Sequence, residues 1–156
     1  MTRDAPPLYG PKQSAFARFL ERREQRKPDT VSHELRRKLL AGLRGRVIEV
    51  GCGDGRAFEL YPPAVERVLA VEPDPIARDV ASERAAAAPV EVEVVDGVAD
   101  ALPASDASFD AAVLIWVLCS VPHPAAALRE VRRVVVPGGE VRFFEHVRSR
   151  NALFRG

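Results

Sequence analysis

A doubly wound α/β fold with a mainly parallel sheet is what the 156-residue sequence predicts, on three observations. Short apolar runs at 47–50, 68–71 and 111–118 are continuous rather than alternating, as in strands buried on both faces. Segments of helical periodicity lie between them, and such alternation gives right-handed crossovers with helices on both sides of the sheet. The first run passes directly into Gly51-Cys52-Gly53-Asp54-Gly55. Three glycines at alternate positions let backbone approach a ligand closely before a helix begins.

Residues 1–10 are polar and proline-rich. A helix is expected over 13–26, with Phe16, Phe19, Leu20 and Arg23 along one face, and Pro28-Asp29-Thr30 breaks it. A second helix spans 32–43, with Ser32 as N-cap and Leu35, Leu39 and Leu40 facing inward. The first strand is 47–50. A brief helix at 56–60 is stopped by Pro62-Pro63, and a second strand covers 68–72. Asp74-Pro75 supplies an N-cap and a proline at the first helical position, opening a helix to residue 87. Residues 90–94, Val-Glu-Val-Glu-Val, alternate strictly and so mark an outer strand with one wet face. The fourth strand is 109–115. A helix follows over 124–135 with Leu128, Val131 and Val135 on its buried side, and Pro137-Gly138-Gly139 turns into a fifth strand at 140–145. With the first strand central, the order is 3-2-1-4-5. A ligand then lies across the carboxyl ends of strands 1 and 4, where the order reverses, as in Rossmann-like folds.

Composition fits one globular domain, with 47% hydrophobic and 29% charged residues. A net charge of +1 gives no reason to expect nucleic-acid binding. The charge is uneven: residues 1–46 hold 12 Lys/Arg against 5 Asp/Glu, and the remainder holds 11 against 17. A basic lead favours an anionic partner or membrane surface, although a solvated helix packed on the core is the plainer reading. Cys52 and Cys119 lack the spacing of a disulfide framework or zinc site, so no metal is expected and both read as free thiols, Cys119 as a small buried hydrophobe. The chain opens without an apolar leader, and its longest apolar stretch, 111–119, is too short to span a bilayer. A cytoplasmic location with at most peripheral membrane association is expected.

Two acids carry the binding argument. Glu72 ends the second strand, where a carboxylate can accept both hydroxyls of a ribose lying over the glycine loop. Asp96-Gly97 ends the third strand, and Asp96 can accept from an exocyclic base amine, a turn-forming Asp-Gly being the competing reading.

The segments VIEVGCGDG, VLAVEPD, VVDGVADALPASDASFDAAVLIWVLCSVP and ALREVRRVVVPGGEVRFFEHV resemble the class I S-adenosylmethionine-dependent methyltransferases. Within that class the type 11 methyltransferase domain is most similar. VLCSV, REVRRVV-PGG and EHV resemble the branch of animal methyltransferase-like thiol and lipid-associated enzymes and their bacterial relatives. The resemblance implies S-adenosyl-L-methionine as cofactor. It implies that Glu49, Gly51, Cys52, Gly53 and Gly55 surround its methionine and ribose portion, with Glu49 anchoring the amino end and Cys52 standing where a small residue is common. Glu72 would hold the ribose hydroxyls, Pro73 would border the adenine, and Asp96 and Gly97 would contact it. Ile115 and Trp116 would lie near the sulfonium end and the acceptor.

The acceptor implied by the resemblance is a small molecule presenting a thiol, amine or hydroxyl, with a lipid-like one among the candidates. Methyl transfer from a sulfonium needs alignment more than acid or base help, unless the nucleophile must lose a proton. His146, after the fifth strand and facing the presumed cleft, is the candidate catalytic and substrate-side residue; His123 is a second, loop-borne one. Three parts are expected: a helical lead or lid at 1–45, a cofactor-binding core at 46–150 and a tail at 151–156. The resemblance further implies a C-terminal antiparallel pair that this sequence lacks, which leaves the fifth strand as an edge for a homo-oligomer to cover. Two other functions are weighed: a shortened cofactor-binding or interaction module, and an NAD-dependent oxidoreductase. The second expects G-x-G-x-x-G, whereas Gly51, Gly53 and Gly55 alternate and position 56 is Arg.

Overall fold

The computed structural model describes residues 30–146. The helix expected at 13–26 and the tail at 151–156 lie outside the described residues. The elements run α1 (Thr30–Leu40), β1 (Gly45–Val50), a 3-10 turn (Phe58–Leu60), β2 (Val65–Val71), α2 (Pro75–Ala85), β3 (Glu91–Val95), β4 (Phe109–Ile115), α3 (Pro124–Val134) and β5 (Val135–Phe144). The five strands form one sheet in the order β3-β2-β1-β4-β5, every neighbouring pair parallel. The strand order and the doubly wound class follow the sequence expectation.

Side-chain alternation along the central strands divides the core in two. Ile48, Val50, Leu69, Val71, Ala112 and Leu114 meet Ala127, Val131 and Val134 of α3 on one face. Val47, Val68, Ala70, Ala111 and Val113 meet Leu40 of α1, Phe58 and Tyr61 near the 3-10 turn, and Ala81 of α2 on the other. Burying each large aliphatic side chain in these layers contributes about 1.5–3 kcal/mol, which explains why the continuous apolar runs occupy the middle of the sheet. In register, Val50 lies beside Val71 and Leu114, so the carboxyl ends of β1, β2 and β4 finish nearly level. That level edge carries the candidate site.

Local chemistry corrects several boundaries. Ser32 lies buried inside α1 instead of capping it, because the helix already runs from Thr30. Asp74 does cap α2, accepting from Ile76 N–H at 2.9 Å and Ala77 N–H at 3.0 Å. α3 ends at Val134, not 135: its last carbonyls, Arg133 O and Val134 O, accept from Ala107 and Ser108 N–H, and the chain turns straight into β5. Pro137-Gly138-Gly139 is therefore an excursion within β5, since Phe109 pairs with Val135 and Ala111 next pairs with Glu140. Leu128 is 47% exposed, because the seam facing the sheet is Ala127, Val131 and Val134. Along β5, Val141 and Phe143 are exposed, Phe143 at 61%.

Candidate functional site

The three loop glycines perform three separate tasks. All have left-handed backbone, with φ of +67° at Gly51, +57° at Gly53 and +77° at Gly55. A Cβ at Gly51 would stand 2.8 Å from a methyl of Val117, and one at Gly55 would stand 2.6 Å from the Phe58 ring. These two glycines admit the core against the loop. A Cβ at Gly53 would meet nothing within 4 Å, so the loop is open on that side. The Gly51 and Cys52 N–H groups both donate to Val71 O, at 2.7 and 3.1 Å, and tie the loop to the end of β2. The Cys52 side chain points into the core, and burial, with the nearby Glu49 and Glu72 charges adding to it, pushes its thiol well above the usual range. Cys52 thus serves the loop through its packing and backbone.

Glu72 holds the loop from the other side. One carboxylate oxygen accepts from Gly53 N–H at 2.9 Å and the other from Asp74 N–H at 3.0 Å. Burial raises its pKa, against those two hydrogen bonds, which favour the ionised form. Each oxygen retains a second lone pair for a hydroxyl donor. The sequence places Glu72 at the strand end; the structure adds that it is buried and clamps the glycine loop to the cap of α2.

Glu49, only 3% exposed, accepts from the Tyr61 hydroxyl at 2.8 Å. Burial pushes its pKa up to about 7, against the Tyr61 hydrogen bond and the positive charge of Arg36. Tyr61 escapes a sequence reading: it follows a 3-10 turn, and nothing in LYPP announces a buried hydroxyl. Asp54, also buried, pairs through one oxygen with Arg56 at 2.7 Å and Arg84 at 3.0 Å, and so braces the loop.

Around the third strand, Arg78 donates to Glu72 O, Pro73 O and Asp96 Oδ1, at 2.7–2.8 Å. This one guanidinium, absent from the sequence-derived site, joins the ends of β2 and β3. Asp96 is 74% exposed by side chain and already ion-paired. Gly97 fits between Val71 and Pro103, each 2.8 Å from where its Cβ would lie. Pro73 is half-buried beside them.

At the end of β4, Ile115 and Trp116 are half-buried. Trp116 has φ +57° and donates its N–H to Phe144 O at 2.8 Å. Its indole is stacked on His146, with centroids 5.6 Å apart and planes at 15°, and meets Phe144 edge-on. Arg36 of α1 lies 4.8 Å from the indole centroid. Cys119 is exposed, a correction to its expected burial: β4 stops at Ile115 and Cys119 belongs to the following turn. Its sulfur lies 3.7 Å from His146 Nδ1. His123 stands exposed at the start of α3, its carbonyl accepting from Ala126 and Ala127 N–H.

The acceptor set suits a nucleoside carrying cationic charge. Gly53 leaves the space, Glu72 offers lone pairs to hydroxyls, and Glu49 offers a buried carboxylate to an ammonium. Among the described residues no cluster of His, Cys, Asp and Glu suits a metal ion.

A family model described as a methyltransferase domain matches residues 48–143. The thiol S-methyltransferase TMT1B of Homo sapiens is 37% identical over 134 residues, covering 80% of this chain and 54% of that protein. The YcgJ protein of Bacillus subtilis superposes with a TM-score of 0.69 at 27% identity, over 80% of this chain and 54% of that one. A SAM-dependent methyltransferase of Thermotoga maritima superposes with a TM-score of 0.64 at 29% identity, over 83% and 59%. The chain thus spans about half the length of the curated relatives it matches.

Proposed function

The chain belongs to the type 11 methyltransferase domain family of class I S-adenosylmethionine-dependent methyltransferases, and from that membership we propose that it methylates a small-molecule thiol. The observation that carries the reading is the open side of Gly53 beside the Glu72 carboxylate, at the point where the strand order reverses. Thiol is the acceptor class because TMT1B, the 37% identical human protein, is a thiol S-methyltransferase.

S-adenosylmethionine supplies a methyl group already activated by its sulfonium charge. Glu72 would accept hydrogen bonds from the ribose hydroxyls, Glu49 would receive the amino end, and the loop backbone from Gly51 to Gly55 would bound the sugar. Pro73, Asp96 and Gly97 border the base. Ile115 and Trp116 shape the side from which the acceptor approaches. His146 would take the acceptor thiol's proton on a ring nitrogen as that thiol is methylated. A lid role for the 1–45 lead is supported at its described end, where Arg36 reaches over Trp116 and Arg142 of β5 donates to Leu39 O and Ala41 O, at and just beyond the end of α1. A second copy paired along the β5 edge, and a cytoplasmic setting for two free thiols, complete the proposal. Among the described residues no helix is long and apolar enough to cross a membrane.

The test is methyl transfer from S-adenosylmethionine to 2-mercaptoethanol and thiophenol, with matched amines and phenols in parallel. Methylated thiols are expected. Binding of S-adenosylhomocysteine without product from any acceptor would favour a binding module, and binding of NAD alone would favour an oxidoreductase.

A further inference from the structure

Three consecutive amides beyond β4 are held by two consecutive residues at the end of β5. Trp116 N–H donates to Phe144 O at 2.8 Å, and Val117 and Leu118 N–H donate to Glu145 Oε1 at 2.8 and 3.0 Å. Hydrogen bonds to an ionised carboxylate are roughly twice as strong as neutral ones. They hold a turn whose first residue, Trp116, has a left-handed backbone that a bulky side chain rarely adopts. Strain of this kind persists only where its surroundings over-determine it, and it concentrates at functional sites. The residues on either side of Glu145 meet the indole itself, Phe144 by its edge and His146 by stacking. Glu145 Oε2 is buried and has no hydrogen-bond partner among the described residues, so the carboxylate stands there at a desolvation cost.

We propose that Glu145 is the positioning residue of the acceptor side: it clamps the 116–118 turn from β5 and so sets the Trp116 indole against His146. The clamp rests on the geometry alone, whereas its consequence for the acceptor rests on the methyltransferase reading. Trp116 is the single tryptophan of the chain, so its emission reports the clamp without turnover.

The experiment compares Glu145→Ala and Glu145→Gln with the parent in three measurements: Trp116 emission, S-adenosylhomocysteine titration and methyl transfer to 2-mercaptoethanol. Glu145→Ala, shown folded by circular dichroism, should emit at longer wavelength and show an acceptor KM raised about tenfold, the loss expected for a charge-assisted hydrogen bond. Its S-adenosylhomocysteine Kd should change by less than about twofold, since the lost bonds lie outside the loop and Glu72. Glu145→Gln, whose amide oxygen accepts the same two N–H groups, should restore most of both signals. Should Glu145→Ala fail to fold, Glu145→Asp withdraws the carboxylate by one methylene and carries the same expectation. Parental emission and KM in the folded variant would overturn the proposal, as would equal losses of acceptor and S-adenosylhomocysteine binding. A parent that methylates no acceptor would refute the functional reading, while the emission arm still decides the clamp.

Discussion

Glu49 is the residue at which burial and chemistry conflict most directly. Removal from water lifts its pKa to about 7 from an ordinary 4.5. The folded chain therefore holds a proton that the unfolded chain releases in that interval. The stability linked to Glu49 is complete below about 4.5 and is lost as pH rises through about 7, an effect of about 3 kcal/mol. Thermal unfolding of the parent should thus weaken between pH 5 and 8 more than that of Glu49→Gln, and parallel profiles would disprove the linkage. An ammonium beside Glu49 reverses the preference, so S-adenosylhomocysteine should bind more tightly as pH rises through about 7, and Glu49→Gln should remove that dependence. The pKa of Glu72 is also raised by burial, but two backbone N–H groups oppose that shift by favouring its ionised form. Glu72→Ala removes the hydroxyl acceptor and strands the Gly53 and Asp74 N–H groups, so cofactor binding should weaken by about 1.5–3 kcal/mol. Unchanged affinity in a calorimetric titration would take Glu72 out of the site.

The glycine loop is the element that converts the end of a strand into a cradle, and its glycines separate fold from function. Gly53→Ala keeps its surroundings and carries the left-handed strain of about 1–2 kcal/mol, so it should stay folded and lose cofactor binding. Gly55→Ala forces a methyl against Phe58 and should lower stability by about 2–4 kcal/mol, measured by urea denaturation. Equal stability losses in the two variants would contradict this division of labour. The glycine loop and Glu72 are legible in the sequence, because a strand end, alternating glycines and a following acid leave a local pattern, whereas Glu49 and Trp116 come only from the family resemblance. Arg78, Tyr61 and Glu145 come from neither. Their roles arise from contacts across strands or between a turn and a neighbouring strand, and such pairing has no signature in sequence spacing. Cys119 misled for a related reason: an apolar run to 119 looks continuous, yet β4 ends at Ile115, where Trp116 takes φ +57°.

At the scale of the whole molecule, parallel strands with crossover helices put both halves of the proposed chemistry on one edge of the sheet. The order 3-2-1-4-5 was readable because fully buried strands stay apolar while the outer β3 alternates. The excursion at Pro137-Gly138-Gly139 was not, since its place within β5 depends on pairing with β4. The β5 edge, with Val141 and Phe143 exposed, leads us to expect self-association. Light scattering should give a mass above one chain, reduced by Phe143→Glu, and a monomer at all concentrations would remove the second copy from the proposal. The central claim is that the open side of Gly53 holds S-adenosylmethionine, and calorimetric titration of parent and Gly53→Ala with S-adenosylhomocysteine tests it most directly. One-to-one binding by the parent that is lost in folded Gly53→Ala is the predicted result; no binding by the parent, or equal binding by both, would contradict it.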